Sequence, residues 1–114
     1  MKRGKKTPLI SVIIPHYGGT DILHDCLTSL EASNYPNLEI IVLDNKSPDD
    51  SIKKIKPKFK NIIFITSNYN RGFSGGCNFL ATHAKGEYIL ILNNDTIHEK
   101  NWINKLLYRM EKNK

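Results

Sequence analysis

Cysteine is scarce in this sequence: two residues in 114, Cys26 and Cys77, and neither belongs to a spaced framework. That excludes a disulfide-stapled scaffold and predicts two free thiols in a reducing compartment. Long apolar runs are also missing. No stretch approaches the roughly 20 residues that a bilayer-spanning helix needs, and the basic start MKRGKK leads into a strand-like pattern rather than a signal-peptide core. The expectation is a soluble, cytoplasmic chain. Acidic residues are the minority, 11 against 17 Lys and Arg, for a net charge of +6. The excess sits in Lys2 to Lys6, in Lys53 to Lys60 and near the C-terminal end, without interleaved aromatics, so no nucleic-acid partner is expected. Peripheral attraction to the anionic inner face of a membrane is the partner reading that such charge supports. Internal repeats and low-complexity linkers are absent, as is any Ser-His-Asp or Cys-His set. His16, His24, His83 and His98 share no metal-ligand spacing, and His24 and His83 read as helix-surface residues. A hydrophobic content of 39% over this length is enough for one modest core. The organisation expected is a basic tail over 1–8 and one domain over 9–114.

What the sequence does have is a regular alternation of strand and helix patterns. Leu9 to Pro15 (LISVIIP) is a nearly continuous β-branched run, as expected of a strand buried on both faces. Ile22, Leu23, Cys26, Leu27 and Leu30 then recur at helical spacing, with Thr20 or Asp21 as the candidate cap. A second strand from Leu38 to Leu43 runs into Asp44, followed by the polar loop NKSPDDS and a short basic helix closed by Pro57. Asn61 to Thr66 reads as a third strand, Gly75 to Ala84 as a third helix and Glu87 to Leu92 as a fourth strand. A last helix from about Glu99 puts Trp102, Ile103, Leu106, Leu107 and Met110 on one face. Four such units predict an α/β, doubly wound, mostly parallel sheet, because crossovers between parallel neighbours are right-handed. In the order 3-2-1-4, strands one and four flank the topological switch point, and ligands bind there outside the carboxyl ends of the strands.

Polar residues cluster at those ends. Asp44 ends a buried strand, where a carboxylate can accept from a ribose hydroxyl or a base N–H. Ser47, Asp49 and Ser51 read instead as a self-bonded loop capping the next helix. The glycines of NRGFSGG allow two readings, a phosphate cradle at a helix N-terminus or a turn that packs a helix closely on the sheet. The run YILILNNDT stops at two amides and a carboxylate. Asn93 and Asp95 stand at alternate positions and can face the same way, a short oxygen set suited to Mg²⁺ or Mn²⁺ completed by substrate phosphates.

Taken together, SVIIPHY, CLTSLEASNYPNLEIIVLDNKSPDDS and NYNRGFSGGCNFLATHAKGEYILILNNDT closely resemble, in order and spacing, the N-terminal half of the family-2 glycosyltransferases of GT-A fold, especially a rhamnosyltransferase-like branch. The resemblance spans about Ile10 to Trp102. It implies that Pro15, His16 and Tyr17 line the nucleotide base and that Asp44 contacts uracil or thymine and its ribose. It further implies that Asn70, Arg71 and Gly72 close the nucleotide pocket. Asn93 and Asn94 would border the diphosphate, with Asp95 as the metal-holding aspartate of the family's D-x-D. The implied activity is inverting transfer of a sugar from a UDP- or dTDP-sugar to a glycan or lipid-linked acceptor in polysaccharide or cell-wall synthesis. Two residues depart from the family: Asn93 replaces a carboxylate, and His16 stands where a small hydroxyl residue is usual. Only 19 residues follow Asp95, and Glu99 and Glu111 among them fall in the predicted last helix. The acceptor site and catalytic base are therefore expected to lie outside this chain, leaving a donor-binding half that is inactive alone. A non-catalytic nucleotide-binding or interaction module is the alternative.

Overall fold

The run ISVIIPH forms the centre of the fold because every one of its side chains is buried. In the computed structural model, which describes residues 7–112, β1 (Ile10–His16) is sandwiched between parallel neighbours β2 (Leu38–Asp44) and β4 (Tyr88–Ile91). β3 (Ile63–Thr66) pairs in parallel with β2, giving the order β3-β2-β1-β4. The expected doubly wound parallel sheet is thus the observed one. Lys2 to Lys6, the basic part of the expected tail, lie outside the described residues. Pro8, expected to end that tail, is buried and its carbonyl accepts from Tyr35 Oη, while Thr7 accepts from Asn37 Nδ2 at 2.9 Å. The anchored body therefore begins before Leu9.

Period-two alternation divides the sheet side chains between two cores. Ile10, Val12, Ile14, Ile40 and Val42 face α1 (Thr20–Glu31), α2 (Ser51–Ile55) and α4 (Trp102–Lys112), where Leu23, Leu27, Leu30, Ile55 and Ile103 meet them. Ile13, Ile41 and Leu43 face the other way, onto Cys77 and Leu80 of α3 (Gly72–Ala81). Each fully buried aliphatic side chain is worth about 1.5–3 kcal/mol relative to exposure, so the larger core dominates the stability. Both cysteines are buried free thiols.

Several expected boundaries move, each for a tertiary reason. α1 is entered from Gly19 (φ 101) rather than from a Thr20 or Asp21 cap, and no side chain caps it. α3 starts at Gly72 instead of Gly75 and ends at Ala81 instead of Ala84. Its first turn is glycine-rich and carries no apolar period, yet Asn45 holds it from β2: Asn45 Oδ1 accepts from Arg71 N at 2.7 Å and Nδ2 donates to the Gly72 carbonyl at 3.0 Å. α4 starts at Trp102 rather than about Glu99, because the Lys100 carbonyl accepts from Asn34 N at 2.9 Å and fixes the preceding segment as a loop. β3 and β4 are each shorter by two residues than their patterns, and a 3₁₀ turn, Lys56–Lys58, follows α2.

Candidate functional site

Parallel pairing in register brings His16, Asp44 and Thr66 to one level at the carboxyl end of the sheet. Leu92 N still donates to the Ile13 carbonyl at 3.1 Å, and the chain then turns away from β4 through Asn93, Asn94 and Asp95. Thr96 Oγ1 donates to the Asn93 carbonyl at 3.0 Å and also meets His98 Nε2 at 2.9 Å, which fixes that turn. Between it, the end of β1 and the start of α3 lies a cleft of about 260 Å³. Its walls include Pro15, His16, Tyr17, Asn70, Gly72, Asn93 and Asn94, together with Asn45 and Phe73. Tyr17 and Phe73 are each about half exposed there, offering flat apolar surface on which a planar ring can stack. Two larger depressions, of about 420 and 550 Å³, lie elsewhere. One is bordered by Asp21, His24, Lys54 and Lys58, the other by residues of α4 alone, and neither is lined by a strand residue or by the turn after β4. The smaller cleft is the better candidate because it sits at the switch point between β1 and β4.

Three residues expected at the site are not in the cleft wall. Asp44 is half-buried, and its Oδ1 accepts from Ser47 N at 2.9 Å. Arg71 donates from Nε to Ser67 Oγ and from Nη1 to Tyr69 Oη, both at 3.0 Å. Its guanidinium lies 4.0 Å from the Phe79 ring centre and 4.6 Å from that of Tyr69, a cation held on two aromatic faces with no carboxylate partner among the described residues. Asp95 is exposed and makes no hydrogen bond or ion pair with the described residues, although its charge helps burial raise the Cys26 thiol. No group of three or more His, Cys, Asp or Glu side chains among the described residues converges to hold a metal. One carboxylate with the Asn93 amide fits a cation only where phosphate oxygens complete the shell.

Of the two readings offered for the glycines of NRGFSGG, the geometry supports the turn that packs a helix closely on the sheet. Gly72 has φ +73, and a Cβ there would meet nothing within 4 Å, so backbone conformation alone explains it. A Cβ at Gly76 would stand 3.1 Å from Pro15 Cβ and 3.3 Å from Leu43 Cδ2, so this glycine lets α3 close on the strand ends. The helix N-terminus that results borders the cleft, with a partial positive charge directed at any anion there.

Sequence predicts that the loop after β2 bonds only to itself and caps the next helix, and the structure departs from that. Asp49 Oδ1 does accept from Ser51 N (3.2 Å) and Ser51 Oγ (2.6 Å), but its Oδ2 accepts from Gly19 N at 2.8 Å, and Ser47 Oγ accepts from Gly18 N at 3.0 Å. No side chain caps α2 at Asp50. These bonds bind the β2–α2 loop to the β1–α1 loop. His16, fully buried, extends the tie: Nε2 lies 2.8 Å from Ser51 Oγ and Nδ1 lies 2.9 Å from Asn94 Nδ2. Burial lowers its pKa below the ordinary 6.5, against the opposing pull of Asp44 and Asp49. Sequence reasoning missed Asn45 and Phe73. Asn45 carried the same signal as Asp44, a polar residue ending a buried strand, whereas Phe73 was hidden in a motif read for its glycines.

The chain matches the family model described as glycosyl transferase family 2 over residues 11–114. It is 36% identical over 109 residues to the Escherichia coli UDP-Glc:alpha-D-GlcNAc-diphosphoundecaprenol beta-1,3-glucosyltransferase WfaP, covering 93% of this chain and 43% of that protein. It is 38% identical over 92 residues to the poly(ribitol-phosphate) beta-glucosyltransferase of Bacillus spizizenii, covering 75% of this chain and 14% of the relative. The chain thus spans less than half the length of these relatives. Among solved structures, Staphylococcus aureus TarS 1-349 in complex with UDP-GlcNAc superposes with a TM-score of 0.79 at 22% identity, over 91% of this chain and 31% of that one. A mannosyltransferase from Pyrobaculum calidifontis, in complex with GDP-Man and Mn²⁺, gives 0.73 at 23% identity, over 81% and 29%. At those identities the superpositions establish the fold, which is the Rossmann-like GT-A arrangement. The fold, the order of its motifs and the match over residues 11–114 lead to one conclusion: this chain belongs to glycosyl transferase family 2.

Proposed function

We propose that this chain is the donor-binding part of an inverting glycosyltransferase and that its cleft takes the nucleoside diphosphate of a UDP- or dTDP-sugar. The observation that carries the reading is the convergence of β1, the β4 turn and the N-terminus of α3 on one cleft at the switch point. Tyr17 and Phe73 would flank the base and ribose, and Asp44 would accept from them through the oxygen not used by Ser47. The diphosphate would lie towards the α3 N-terminus, where the helix dipole favours negative charge and Arg71, with no carboxylate partner among the described residues, adds to it. Asp95, with Asn93 beside it, would hold Mg²⁺ or Mn²⁺, which when bound neutralises charge building on the leaving diphosphate.

Support for the donor comes from the name of the WfaP relative, which uses UDP-Glc and a diphosphoundecaprenol acceptor. A lipid-linked acceptor is accordingly our reading here, reached from the cytoplasmic face of a membrane. No helix among the described residues is long and apolar enough to cross one. The relatives named above are glucosyltransferases, so the rhamnosyltransferase-like branch is not carried forward. We assign no catalytic base within this chain. Glu99, which sequence placed in the last helix, precedes α4 and pairs with Lys105 at 2.9 Å; neither it nor Glu111 lines the cleft. Base and acceptor site would be supplied by family sequence beyond this chain, so the chain binds donor without transferring sugar.

Calorimetric titration of the purified chain with UDP and dTDP, with and without Mn²⁺, tests the proposal. Binding of a nucleoside diphosphate that strengthens with Mn²⁺ is expected, whereas Mn²⁺ alone should bind weakly, since no cluster of metal-ligating side chains forms around Asp95 among the described residues. Metal-independent binding would remove Asp95 from its role, and absence of binding would overturn the reading. A transfer and hydrolysis assay beside it addresses catalysis: robust transfer would place the base within the chain after all.

A further inference from the structure

His16 is a buried imidazole among the strand ends with both ring nitrogens engaged, and the chemistry of its partners determines which nitrogen carries the proton. Ser51 has one hydroxyl proton. Its Oγ lies 2.6 Å from Asp49 Oδ1, and a carboxylate can only accept, so the proton goes there. Towards His16 Nε2, 2.8 Å away, the same oxygen must then accept, which puts the ring proton on Nε2. Nδ1 is left with a lone pair, and the group it faces at 2.9 Å must be the NH₂ of Asn94. That nitrogen also reaches the Gly18 carbonyl at 3.4 Å, a second acceptor. Both neighbours of the nitrogen are acceptors, so the Asn94 amide has one satisfactory orientation. Asn94 lines the cleft, and what remains for the cleft is its carbonyl oxygen.

We propose that His16 is a positioning residue: through the relay from Asp49 and Ser51 it fixes the Asn94 amide so that Asn94 presents the cleft with a hydrogen-bond acceptor, selecting a hydroxyl of the bound nucleotide sugar. This rests on the donor-binding reading above. A free asparagine can turn either edge towards a ligand, and its NH₂ would suit a phosphate oxygen; the relay removes that choice. Ser51 and His16 are fully buried, so water does not compete for either bond.

The relay itself is tested without ligand. In protein labelled with ¹⁵N at histidine, held at about pH 8 where an imidazole of ordinary pKa 6.5 is neutral, His16 should show the Nε2–H tautomer. An Nδ1–H tautomer would overturn the proposal. The consequence is tested by affinity. Ser51→Ala should weaken UDP binding by roughly five- to tenfold, the worth of one well-made hydrogen bond, and Asp49→Asn, at an exposed position, should act in the same direction. Neither should alter binding of 2′,3′-dideoxy-UDP if the selected hydroxyl is on the ribose. Should dideoxy-UDP behave like UDP while UDP-glucose alone responds, the hydroxyl belongs to the sugar. In an Asn94→Ala background, Ser51→Ala should cost nothing further; additive losses would mean that Ser51 acts by general destabilisation and would sink the proposal. A loss confined to Mn²⁺-containing samples and equal for all ligands would assign the oxygen to the cation and also overturn the hydroxyl assignment. If wild-type protein fails to bind UDP, the donor reading fails while the tautomer still reports on the relay.

Discussion

Asp44 ends β2 level with His16 but outside the cleft wall, and one of its oxygens is already committed to Ser47 N. The substitution Asp44→Ala therefore removes two things, a candidate ligand acceptor and a loop bond, and Asp44→Asn separates them because its amide oxygen can still accept from Ser47. We expect Asp44→Ala to weaken nucleoside diphosphate binding by roughly 1–3 kcal/mol, the cost of leaving a donor unpaired in a partly buried site. Asp44→Asn should keep the melting temperature of the wild type more closely than Asp44→Ala does. Calorimetry on both variants checks this, and unchanged affinity in Asp44→Ala would place the residue outside the binding site. The neighbouring residue shows what sequence can and cannot yield. Asn45 and Asp44 are equivalent in pattern, both polar at the end of a β-branched run. In the folded chain Asn45 turns its amide onto Arg71 N and the Gly72 carbonyl, 26 and 27 residues away. The residue type was legible; the partner was not, because a side chain's partner depends on which segment the fold delivers to it.

Elements were legible where hydrophobic period extended over their length. Among the described residues, each of the four strands and four α-helices overlaps the segment the alternation assigned to it, and the parallel order followed from the crossover rule rather than from any one residue. Element ends were not legible, since they are set by contacts distant in sequence, as at the starts of α3 and α4. The glycines test this distinction between local and tertiary control. Gly72 is controlled locally: Gly72→Ala meets empty space but must adopt φ +73, a strain of about 1–2 kcal/mol. Gly86 is controlled by the sheet. A Cβ there would stand 2.6 Å from Ser11 N and 2.8 Å from the Leu9 carbonyl, backbone atoms of β1 and its approach that cannot swing aside. Its own N–H donates to Ser11 Oγ at 2.8 Å, and that hydroxyl donates onward to Glu39 Oε1 at 2.6 Å. Gly86→Ala should thus cost more stability than Gly72→Ala, by chemical denaturation, while Gly72→Ala should have the larger effect on nucleotide binding because Gly72 borders the cleft. The reverse ranking of stabilities would mean that β4 and its entry loop can shift away from β1.

At the scale of the whole molecule, the ties between loops make stability depend on pH in a defined direction. Burial lowers the pKa of both His16 and His98 below 6.5. A group whose folded pKa lies below its unfolded value binds fewer protons folded than unfolded across that interval, so stability rises with pH there. For the two histidines the contribution is fully present above about pH 6.5 and is lost as pH falls towards their folded values. Asp49 shifts the same way for a different reason. Its hydrogen bond from Ser51 Oγ is the largest influence, followed by that from Gly19 N, and together they hold the carboxyl at about 2 against an ordinary 3.8. Its contribution is present above about 3.8 and is lost as pH falls towards 2, and because the carboxylate is exposed, solvent screens it and it is the smaller of the two effects. Acid should therefore loosen the molecule in two stages, first below about pH 6.5 through the buried His16 and half-buried His98 imidazoles and then in strong acid through the loop carboxylate. Denaturant midpoints measured at pH 8, 6 and 5 should fall monotonically, and His98→Gln should flatten only part of that slope, leaving the share that belongs to His16. A midpoint that held constant from pH 8 to pH 5 would show that the imidazoles protonate without cost, and hence that His16 is not sealed between Ser51 and Asn94.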